Sequence, residues 1–220
     1  MTGGIQSKRD DFGIRSFDYD RQLLAGVKAT GAADVSIYPF HREAVVAGRG
    51  SRLDREIRLD RVQADGVAVY RRMGGGCSVF LDPGNLIVSI AFPAEGFGGI
   101  QTLFDRCSDW LIRGLSDAGV SGVYQDGISD LVIADRKIAG SCFYRAKGLA
   151  YYSAAILVTP DLAKMASYLR HPPREPAYRQ GRSHAAFVAG VNFFYPELTV
   201  STLARLLGNR LDPAFMDAAA

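Results

Sequence analysis

Short runs of apolar residues, bounded by polar and turn-forming positions, predict the β-strands of this chain. They lie at residues 34–40, 44–48, 67–71, 77–81, 86–92, 130–134, 137–140 and 151–158. The segment Asp82-Pro83-Gly84-Asn85 is typical of a turn, so the runs on either side of it are predicted to form a hairpin. Asp135-Arg136 is predicted to be the tight turn of a second hairpin.

Apolar residues at helical spacing predict the helices between these runs. The first helix carries Leu23 and Val27, with Asp18 or Asp20 at its start and Gly31 at its end. Further helices are predicted at residues 55–63, 100–115, 161–169, 183–191 and 200–207. The apolar face of the second of these is predicted to carry Ile100, Leu103, Phe104, Cys107, Leu111 and Leu115. Strands in hairpin-like runs with helices between them favour an α+β fold, a largely antiparallel or mixed sheet flanked by helices. The strand–helix alternation of dinucleotide-binding folds is missing.

The composition of the chain excludes some classes of function but does not identify the function. With 220 residues, of which 48% are hydrophobic, the chain can bury one sizeable core. A net charge of +3 indicates neither a nucleic-acid nor a membrane partner, and the longest apolar run, residues 86–93, is too short to span a bilayer. The N-terminus, MTGGIQSKRDDFG, has no apolar segment typical of a signal peptide. Three cysteines without metal-ligand spacing fit free thiols, so we expect a cytoplasmic protein.

Three consecutive glycines, Gly74, Gly75 and Gly76, follow Arg71 and Arg72 between two predicted strands. Such a run is costly in backbone entropy and is typical of a place where a ligand lies against the main chain. Since strand side chains alternate, one of the two guanidinium groups is expected to face the ligand and bind a carboxylate or phosphate. The segment is neither a P-loop nor a Rossmann fingerprint, because no Gly-Lys-Ser/Thr and no helix follow it. The alternative is a glycine-rich bulge beside two solvated arginines.

A second segment carries a candidate catalytic lysine. Lys137 begins a predicted strand just before Gly140 and Ser141, and Asp130 begins the strand that precedes it. A lysine in that place can point into a pocket and stabilise negative charge on an acyl phosphate. Asp130 can position a magnesium ion, an amine or the lysine itself. The alternative is an ordinary hairpin with a solvated Asp-Arg-Lys turn.

Together the two segments resemble the lipoate–protein ligase A family, part of the superfamily of biotin/lipoate protein ligase catalytic domains. The family's motifs are matched here in order. Its Arg-Arg-x-x-Gly-Gly-Gly turn corresponds to residues 71–77, and its Asp and Gly-Asn correspond to Asp82 and Gly84-Asn85. Its Asn-Asp-Leu strand corresponds to residues 129–131, and its Lys-Ile-x-Gly-Ser segment corresponds to residues 137–141. The resemblance covers residues 18–192. The chain departs from the pattern with Cys77 for glycine, Leu81 for histidine, Ser129 for asparagine and Tyr151-Tyr152-Ser153 for His-Gly-Thr.

This resemblance implies a lipoate–protein ligase that uses ATP and Mg²⁺ to convert lipoate to lipoyl-AMP. The lipoyl group then passes to a lysine of a lipoyl-domain protein. Lys137 is implied to be catalytic by stabilising charge in both steps. The residues implied to bind substrate or adenylate are Arg71, Arg72, Gly74, Gly75, Gly76, Ser129, Asp130, Gly140 and Ser141, with Asp130 also as the metal ligand.

The resemblance also implies a division of the chain. Residues 1–17 would be a loose N-terminal segment and residues 18–195 a biotin/lipoate ligase-like catalytic domain. Residues 196–220 would be a short C-terminal tail in place of a full accessory domain. This division leaves room for a separate accessory subunit as a partner, beside the lipoyl-domain acceptor.

Other functions stay open on the sequence alone. An octanoyl or lipoyl transferase would need a nucleophilic thiolate near the lysine, for which Cys77 and Cys142 are the candidates, although packing is the favoured role of both. Gly48-Arg49-Gly50 resembles a loop of biotin ligases, but it precedes the glycine turn. A non-catalytic homologue, or one half of a two-part ligase, would bind lipoyl protein without forming an adenylate. The basic residues 170–184 are either a solvated loop or a contact for ATP phosphates or an acidic lipoyl domain.

Overall fold

Two β-sheets and the helices packed on them form the described part of the chain, residues 13–94, 99–146 and 148–219 of a computed structural model. The strands are β1 (Arg15–Ser16), β2 (Asp34–Pro39), β3 (Ala44–Ala47), β4 (Ala68–Arg71), β5 (Val79–Leu81), β6 (Asn85–Pro93), β7 (Tyr124–Asp126), β8 (Asp130–Ile133), β9 (Arg136–Ala146) and β10 (Leu149–Leu157). The helices are α1 (Arg21–Thr30), α2 (Leu53–Glu56), α3 (Leu59–Ala64), α4 (Ile100–Asp117), α5 (Leu162–Tyr168), α6 (His184–Phe187), α7 (Val191–Phe194) and α8 (Val200–Gly208). Short 3₁₀ segments occur at Ala177–Arg179 and Pro213–Ala219.

The larger sheet has six strands in the order β2-β6-β10-β9-β8-β7, and each neighbouring pair in it is antiparallel. The smaller sheet has the order β1-β4-β3-β5, in which β4 pairs in parallel with β1 and β3, whereas β5 is antiparallel to β3. The predicted α+β fold with a largely antiparallel or mixed sheet is therefore confirmed, with the strands divided between two sheets.

Alternation along β6 determines where the main core lies. Leu86, Val88 and Ile90 are fully buried and share one cluster with the apolar stripe of α4. That stripe contains the predicted residues Leu103, Phe104, Cys107, Leu111 and Leu115. Ile100, which was also expected on the stripe, is the first residue of α4 and is 58% exposed. The long helix thus packs on one face of the larger sheet.

The predicted C-terminal tail, residues 196–220, contributes to the same core. Leu203 and Leu207 of α8 are fully buried within it. Leu211 approaches α4 so closely that a Cβ on Gly114 would lie 2.3 Å from Cδ2 of Leu211. A side chain at position 114 would push this segment away, so glycine there lets the C-terminal residues close onto α4.

The hairpin predicted across residues 77–92 is wrong, because its two strands belong to different sheets. β5 pairs with β3, whereas β6 pairs with β2 and β10. The Asp82 carboxylate accepts hydrogen bonds from the backbone N–H of Gly84 at 2.7 Å and of Asp161 at 2.8 Å. The turn therefore ties both sheets to the loop after β10, a long-range role that local turn chemistry does not reveal.

Two predicted helices are each divided in the structure. The helix predicted at residues 55–63 is replaced by α2 and α3, because Ile57 is fully buried and forms an isolated antiparallel bridge with Leu169. The later one is divided into α6 and α7, because Val188 between them forms a bridge with Lys137. In both places a buried apolar residue pairs with a distant segment, and this pairing overrides the local helical pattern.

The predicted loose N-terminal segment, residues 1–17, is described only in part. Residues 1–12, and with them the expectation about a signal peptide, lie outside the described residues. Arg15–Ser16 pair in parallel with Tyr70 and Arg71, so this part of the segment is held on the smaller sheet. Across the described ranges, no helix combines the length and the apolar character needed to cross a membrane.

Candidate active site

The lysine predicted to be catalytic lies on the hairpin of β8 and β9. The turn of this hairpin is Ala134-Asp135, one residue earlier than predicted, and both residues have positive φ, 45° and 66°. The pairing then shifts by one residue, which leaves Ile138 as an extra residue on β9. Residues three apart on a regular strand point to opposite faces, so this bulge is what places Lys137 and Gly140 on the same face.

Asp130 holds the Lys137 ammonium group. The Nζ atom lies 2.7 Å from Oδ1 of Asp130, and the two side chains are 24% and 10% exposed, the lysine being the more exposed. Gly140 leaves room for this arrangement, because a Cβ there would be 2.9 Å from Nζ and 3.0 Å from Cε of the lysine. The other carboxylate oxygen, Oδ2, accepts a hydrogen bond from the Tyr178 hydroxyl at 3.0 Å. An ammonium carries three donors, so the pairing leaves donors for an anionic ligand.

Two predicted serines join the strands next to this ion pair. The backbone N–H and the hydroxyl of Ser141 both donate to the carbonyl of Ser129 at 3.0 Å. These bonds continue the pairing beyond Asp130 and Gly140, which are cross-strand partners. The structure thus brings five predicted site residues, including Lys137, together on one hairpin.

The basic segment 170–184 folds onto this hairpin. The ring of Tyr178 packs on Phe187 with 5.0 Å between centroids. The Arg182 guanidinium donates to both carboxylate oxygens of Asp135 at 2.7 and 3.1 Å, and to the Tyr178 carbonyl at 2.7 Å. The segment is therefore fixed to the site at this end, and its contact with ATP phosphates or an acidic lipoyl domain stays a prediction.

The glycine turn lies against β9 and forms a second wall of the site. Gly74 is so close to Cys142 that a Cβ at position 74 would be 2.7 Å from the sulfur. Gly76 has a φ of 88°, and its carbonyl oxygen would be 2.0 Å from a Cβ on Gly48. Both contacts need glycine, and they bring the turn against the strand on one side and the loop after β3 on the other.

Both arginines before the turn bind backbone carbonyl groups. Arg72 donates from Nη2 to the carbonyls of Gly75 at 2.6 Å and Cys77 at 2.8 Å. Arg71 donates from Nη1 to the carbonyl of Gly48 at 2.8 Å. The two guanidinium groups therefore brace the glycine turn and its neighbouring loop. Their binding of a ligand carboxylate or phosphate stays a prediction.

A surface pocket of about 440 Å³ opens beside the glycine turn, farther along β9 from Lys137. The first residue of β9 that lines the pocket is Phe143. It comes three residues after Gly140, which corresponds to about 10 Å along a strand. The pocket is lined by Arg49, Met73, Gly75, Gly99, Ile100, Phe143, Tyr144 and Arg145. Aromatic and aliphatic walls with guanidinium groups among them suit a ligand that is part apolar and part anionic.

The three free thiols are poorly suited to nucleophilic catalysis. Burial raises the pKa of the Cys77 thiol, and the nearby Glu56 carboxylate raises it further. Burial also raises the pKa of Cys107 and of Cys142. A thiol with a raised pKa is protonated near neutral pH and is a poor nucleophile. The acyl-cysteine chemistry of the transferase alternative therefore has no support at these positions.

The role of Asp130 as a magnesium ligand stays a prediction. Its Oδ1 pairs with Lys137 and its Oδ2 accepts from Tyr178, and each carboxylate oxygen has a further lone pair beyond these contacts. Over the residues that the structure describes, no three His, Cys, Asp or Glu side chains converge on a point that could hold a metal ion.

Sequence reasoning missed Tyr178, because a tyrosine in a segment predicted to be a loop carries no local signal of its partner. It also missed a buried polar cluster around Asp20. Asp20, one of the two aspartates predicted at the start of α1, occupies its N-cap position but makes no side-chain capping bond. Its Oδ2 accepts hydrogen bonds from the hydroxyls of Tyr151 and Ser89, the latter at 2.8 Å. Burial and the Asp20 charge raise the pKa of Tyr151, which keeps its hydroxyl a donor. One available signal was the polar Tyr151-Tyr152-Ser153 segment, where the chain departs from the resemblance.

Most of the chain matches a known protein family. The family model described as the lipoyl protein ligase A/B catalytic domain matches residues 14–211. A Mycoplasma genitalium protein named probable lipoate-protein ligase A is 29% identical over 179 residues, which cover 81% of this chain and 53% of that protein. Lipoate-protein ligase A of Psychrobacter cryohalolentis is 27% identical over 164 residues, 74% of this chain and 46% of that protein. The chain thus spans about half the length of the curated relatives it matches.

Solved structures share the fold. A bi-partite lipoate protein ligase from Thermoplasma acidophilum, studied with its E2 lipoyl domain, has a TM-score of 0.72 at 21% identity and covers 89% of this chain and 79% of its own. A lipoate-protein ligase A bound with ATP has a TM-score of 0.70 at 22% identity, with 86% and 75% covered. At these identities the likeness establishes the architecture.

Proposed function

The chain belongs to the lipoyl protein ligase A/B catalytic domain family, and from that membership we propose that it is a lipoate–protein ligase. It would use ATP to convert lipoate to lipoyl-AMP and would transfer the lipoyl group to a lysine of a lipoyl-domain protein. The observation that carries the proposal is the Lys137 ammonium, held 2.7 Å from Asp130 over Gly140, on the same strand as Cys142, against which the glycine turn lies.

The proposed reaction has two steps. First, a carboxylate oxygen of lipoate attacks the α-phosphorus of ATP, and pyrophosphate leaves. Second, the neutral ε-amine of the acceptor lysine attacks the acyl carbonyl, an amide bond forms, and AMP leaves with the electrons of the broken C–O bond. Negative charge develops on phosphate or carbonyl oxygen in both steps, so one fixed ammonium, that of Lys137, can stabilise both transition states. No protein nucleophile is needed when the reactants are held together.

The remaining predicted residues take supporting roles in this proposal. The backbone of Gly74, Gly75 and Gly76 would line the binding site of the acyl chain and the adenylate. Arg71 and Arg72 would brace this backbone. Ser129 and Asp130 would lie on the adenine side. Magnesium would enter with the phosphates of ATP, since this ion is commonly held largely by substrate phosphates and water. Asp130 is the proposed protein ligand of this ion, through lone pairs that Lys137 and Tyr178 do not use.

Two observations favour a ligase over a transferase. The named relatives are ligases, and the thiols of this chain have raised pKa values.

The proposed partners are a lipoyl-domain acceptor and an accessory subunit, since the Thermoplasma neighbour is a bi-partite ligase. We also propose a cytoplasmic location, with which the free Cys77, Cys107 and Cys142 agree. The proposed catalytic domain is residues 18–195.

The test is a reconstituted reaction read by intact-mass spectrometry. The chain is mixed with ATP, magnesium, lipoate and an unmodified lipoyl domain, and the expected result is an ATP-dependent gain of one lipoyl group on the acceptor. Lys137→Ala should abolish the gain, whereas Lys28→Ala, at an exposed lysine of α1, should not. Modification only from an octanoyl thioester would overturn the ligase. No modification from either donor would indicate a non-catalytic binder, unless addition of an accessory subunit restored activity.

A further inference from the structure

The Asp130 carboxylate is held at both oxygens by residues far apart in the sequence. Lys137 pairs with Oδ1 at 2.7 Å, and the Tyr178 hydroxyl donates to Oδ2 at 3.0 Å. The terminal torsion of an aspartate is broad, so one contact alone does not fix the plane of the carboxylate. The second contact does, and through the carboxylate it restricts where the ammonium can lie.

We propose that Tyr178 is a positioning residue, which holds Asp130 so that Asp130 holds the Lys137 ammonium over Gly140. This role rests on the proposed function, since the positioned group is the proposed catalytic lysine. Tyr178 itself need not touch the substrate. Its hydroxyl acts through the carboxylate, and its removal should free the ammonium without changing the charges of the site.

The state of the tyrosine supports this role. Burial raises the pKa of Tyr178, and the negative charge of Asp130 raises it further. The phenol is therefore neutral at physiological pH and keeps its proton for donation. A hydrogen bond to a charged group is among the stronger ones in proteins.

The support around Tyr178 is rigid on three sides. Its ring packs on Phe187, and its backbone carbonyl accepts a hydrogen bond from Arg182. The neighbouring Pro176 lies against Gly127, because a Cβ on that glycine would be 3.2 Å from the Cβ of the proline. Gly127 has a φ of 61°, which glycine adopts without strain. A hydroxyl carried on such a support is already in place before substrate binds, which is what positioning requires.

The kinetic test uses Tyr178→Phe, which keeps the ring and removes the hydroxyl. In lipoate-dependent ATP–pyrophosphate exchange we expect kcat to fall about tenfold, while KM for ATP and for lipoate stays within about twofold. Tyr168→Phe is the matched control, because that hydroxyl donates to another carboxylate, Asp65, at 2.9 Å. In an Asp130→Asn background, Tyr178→Phe should cost less than about twofold, since it acts through residue 130. Additive losses would overturn the proposal.

A second readout does not depend on activity. Acetic anhydride is added to the intact chain, and acetylation of Lys137 is followed by peptide mass spectrometry relative to Lys28. We expect Tyr178→Phe to raise the relative rate at Lys137 about threefold and Tyr168→Phe to leave it unchanged, because a loosened ion pair exposes the amine. Equal Lys137 labelling in wild type and Tyr178→Phe would overturn the positioning role. Raised labelling in a chain that lacks exchange activity, both alone and with an accessory subunit, would support the positioning role and refute the ligase.

Discussion

The side chain of Lys137 lies directly over the α-carbon of Gly140, so that a Cβ at position 140 would be 2.9 Å from the ammonium nitrogen. The two residues are three apart on β9, and they share a face because the pairing shifts at Ile138. Glycine at position 140 therefore determines where the ammonium can lie, together with the carboxylate of Asp130. A methyl group there would collide with the far end of a flexible chain and not with the backbone.

Gly140→Ala should accordingly separate activity from stability. We expect ligase activity to fall at least about tenfold, because the ammonium is displaced, whereas the free energy of unfolding should change by less than about 1 kcal/mol. Urea unfolding and the intact-mass assay measure the two quantities. Gly208→Ala is the control, since a Cβ at position 208 meets nothing within 4 Å. A loss of stability that accounts for the loss of activity would contradict this reasoning.

Arg72→Lys tests whether the arginine braces the glycine turn. A lysine cannot reproduce the planar fork by which Arg72 donates to the carbonyls of Gly75 and Cys77. We expect the free energy of unfolding to fall by about 2 kcal/mol, since carbonyls would be left without their charged donor. Arg52→Lys, at an exposed arginine paired with Asp54, should cost less than about 0.5 kcal/mol. Equal urea midpoints for the two variants would argue against the bracing role.

Much of the fold could be predicted because its signals are local. The apolar stripe of α4 and the strand at residues 86–92 depend on residues within one element, and both predictions are confirmed. The errors arose where an element is determined by a distant partner. Ile57 leaves a helical pattern to pair with Leu169, and Asp82 ties its turn to Asp161. No periodicity within a segment reports such pairings.

The candidate site shows the same division. Asp130, Lys137 and Gly140 lie within eleven residues, so one hairpin was enough to predict that they are neighbours. The bulge that places the lysine over the glycine was not predicted, because Ile138 looks like an ordinary strand residue. Tyr178 comes from a segment 48 residues beyond Asp130, and only the folded chain brings the two together.

The cysteines give a prediction that separates the ligase from a transferase. Since burial raises the pKa of Cys77 and of Cys142, neither thiol should be a reactive thiolate at neutral pH. We expect iodoacetamide at pH 7 to label the folded chain no faster than it labels free cysteine, with Cys77 the first to react as the pH is raised. Peptide mass spectrometry identifies the labelled residue. Rapid labelling of Cys77 with a midpoint below pH 7 would revive the thioester mechanism.

His184, the first residue of α6, should make stability depend on pH. Burial lowers the pKa of His184 from its usual 6.5 to about 4, and the positive charges of Arg179 and Lys137 act in the same direction. Between about pH 6.5 and pH 4 the unfolded chain binds a proton at this residue that the folded chain excludes. Stability therefore falls as the pH decreases through this window, and it is fully present above the window.

The size of this effect can be isolated with His184→Gln, which removes the titrating group. After allowance for the partial exposure of the imidazole, we expect His184 to account for about 1 to 2 kcal/mol of the stability lost between pH 7 and pH 4. Urea unfolding of wild type and variant across that range measures the difference. His41→Gln, at an exposed histidine before β3, is the control for replacing a histidine with glutamine. If the His184→Gln curve also follows the wild-type curve, the imidazole is not excluded from protonation in the folded chain.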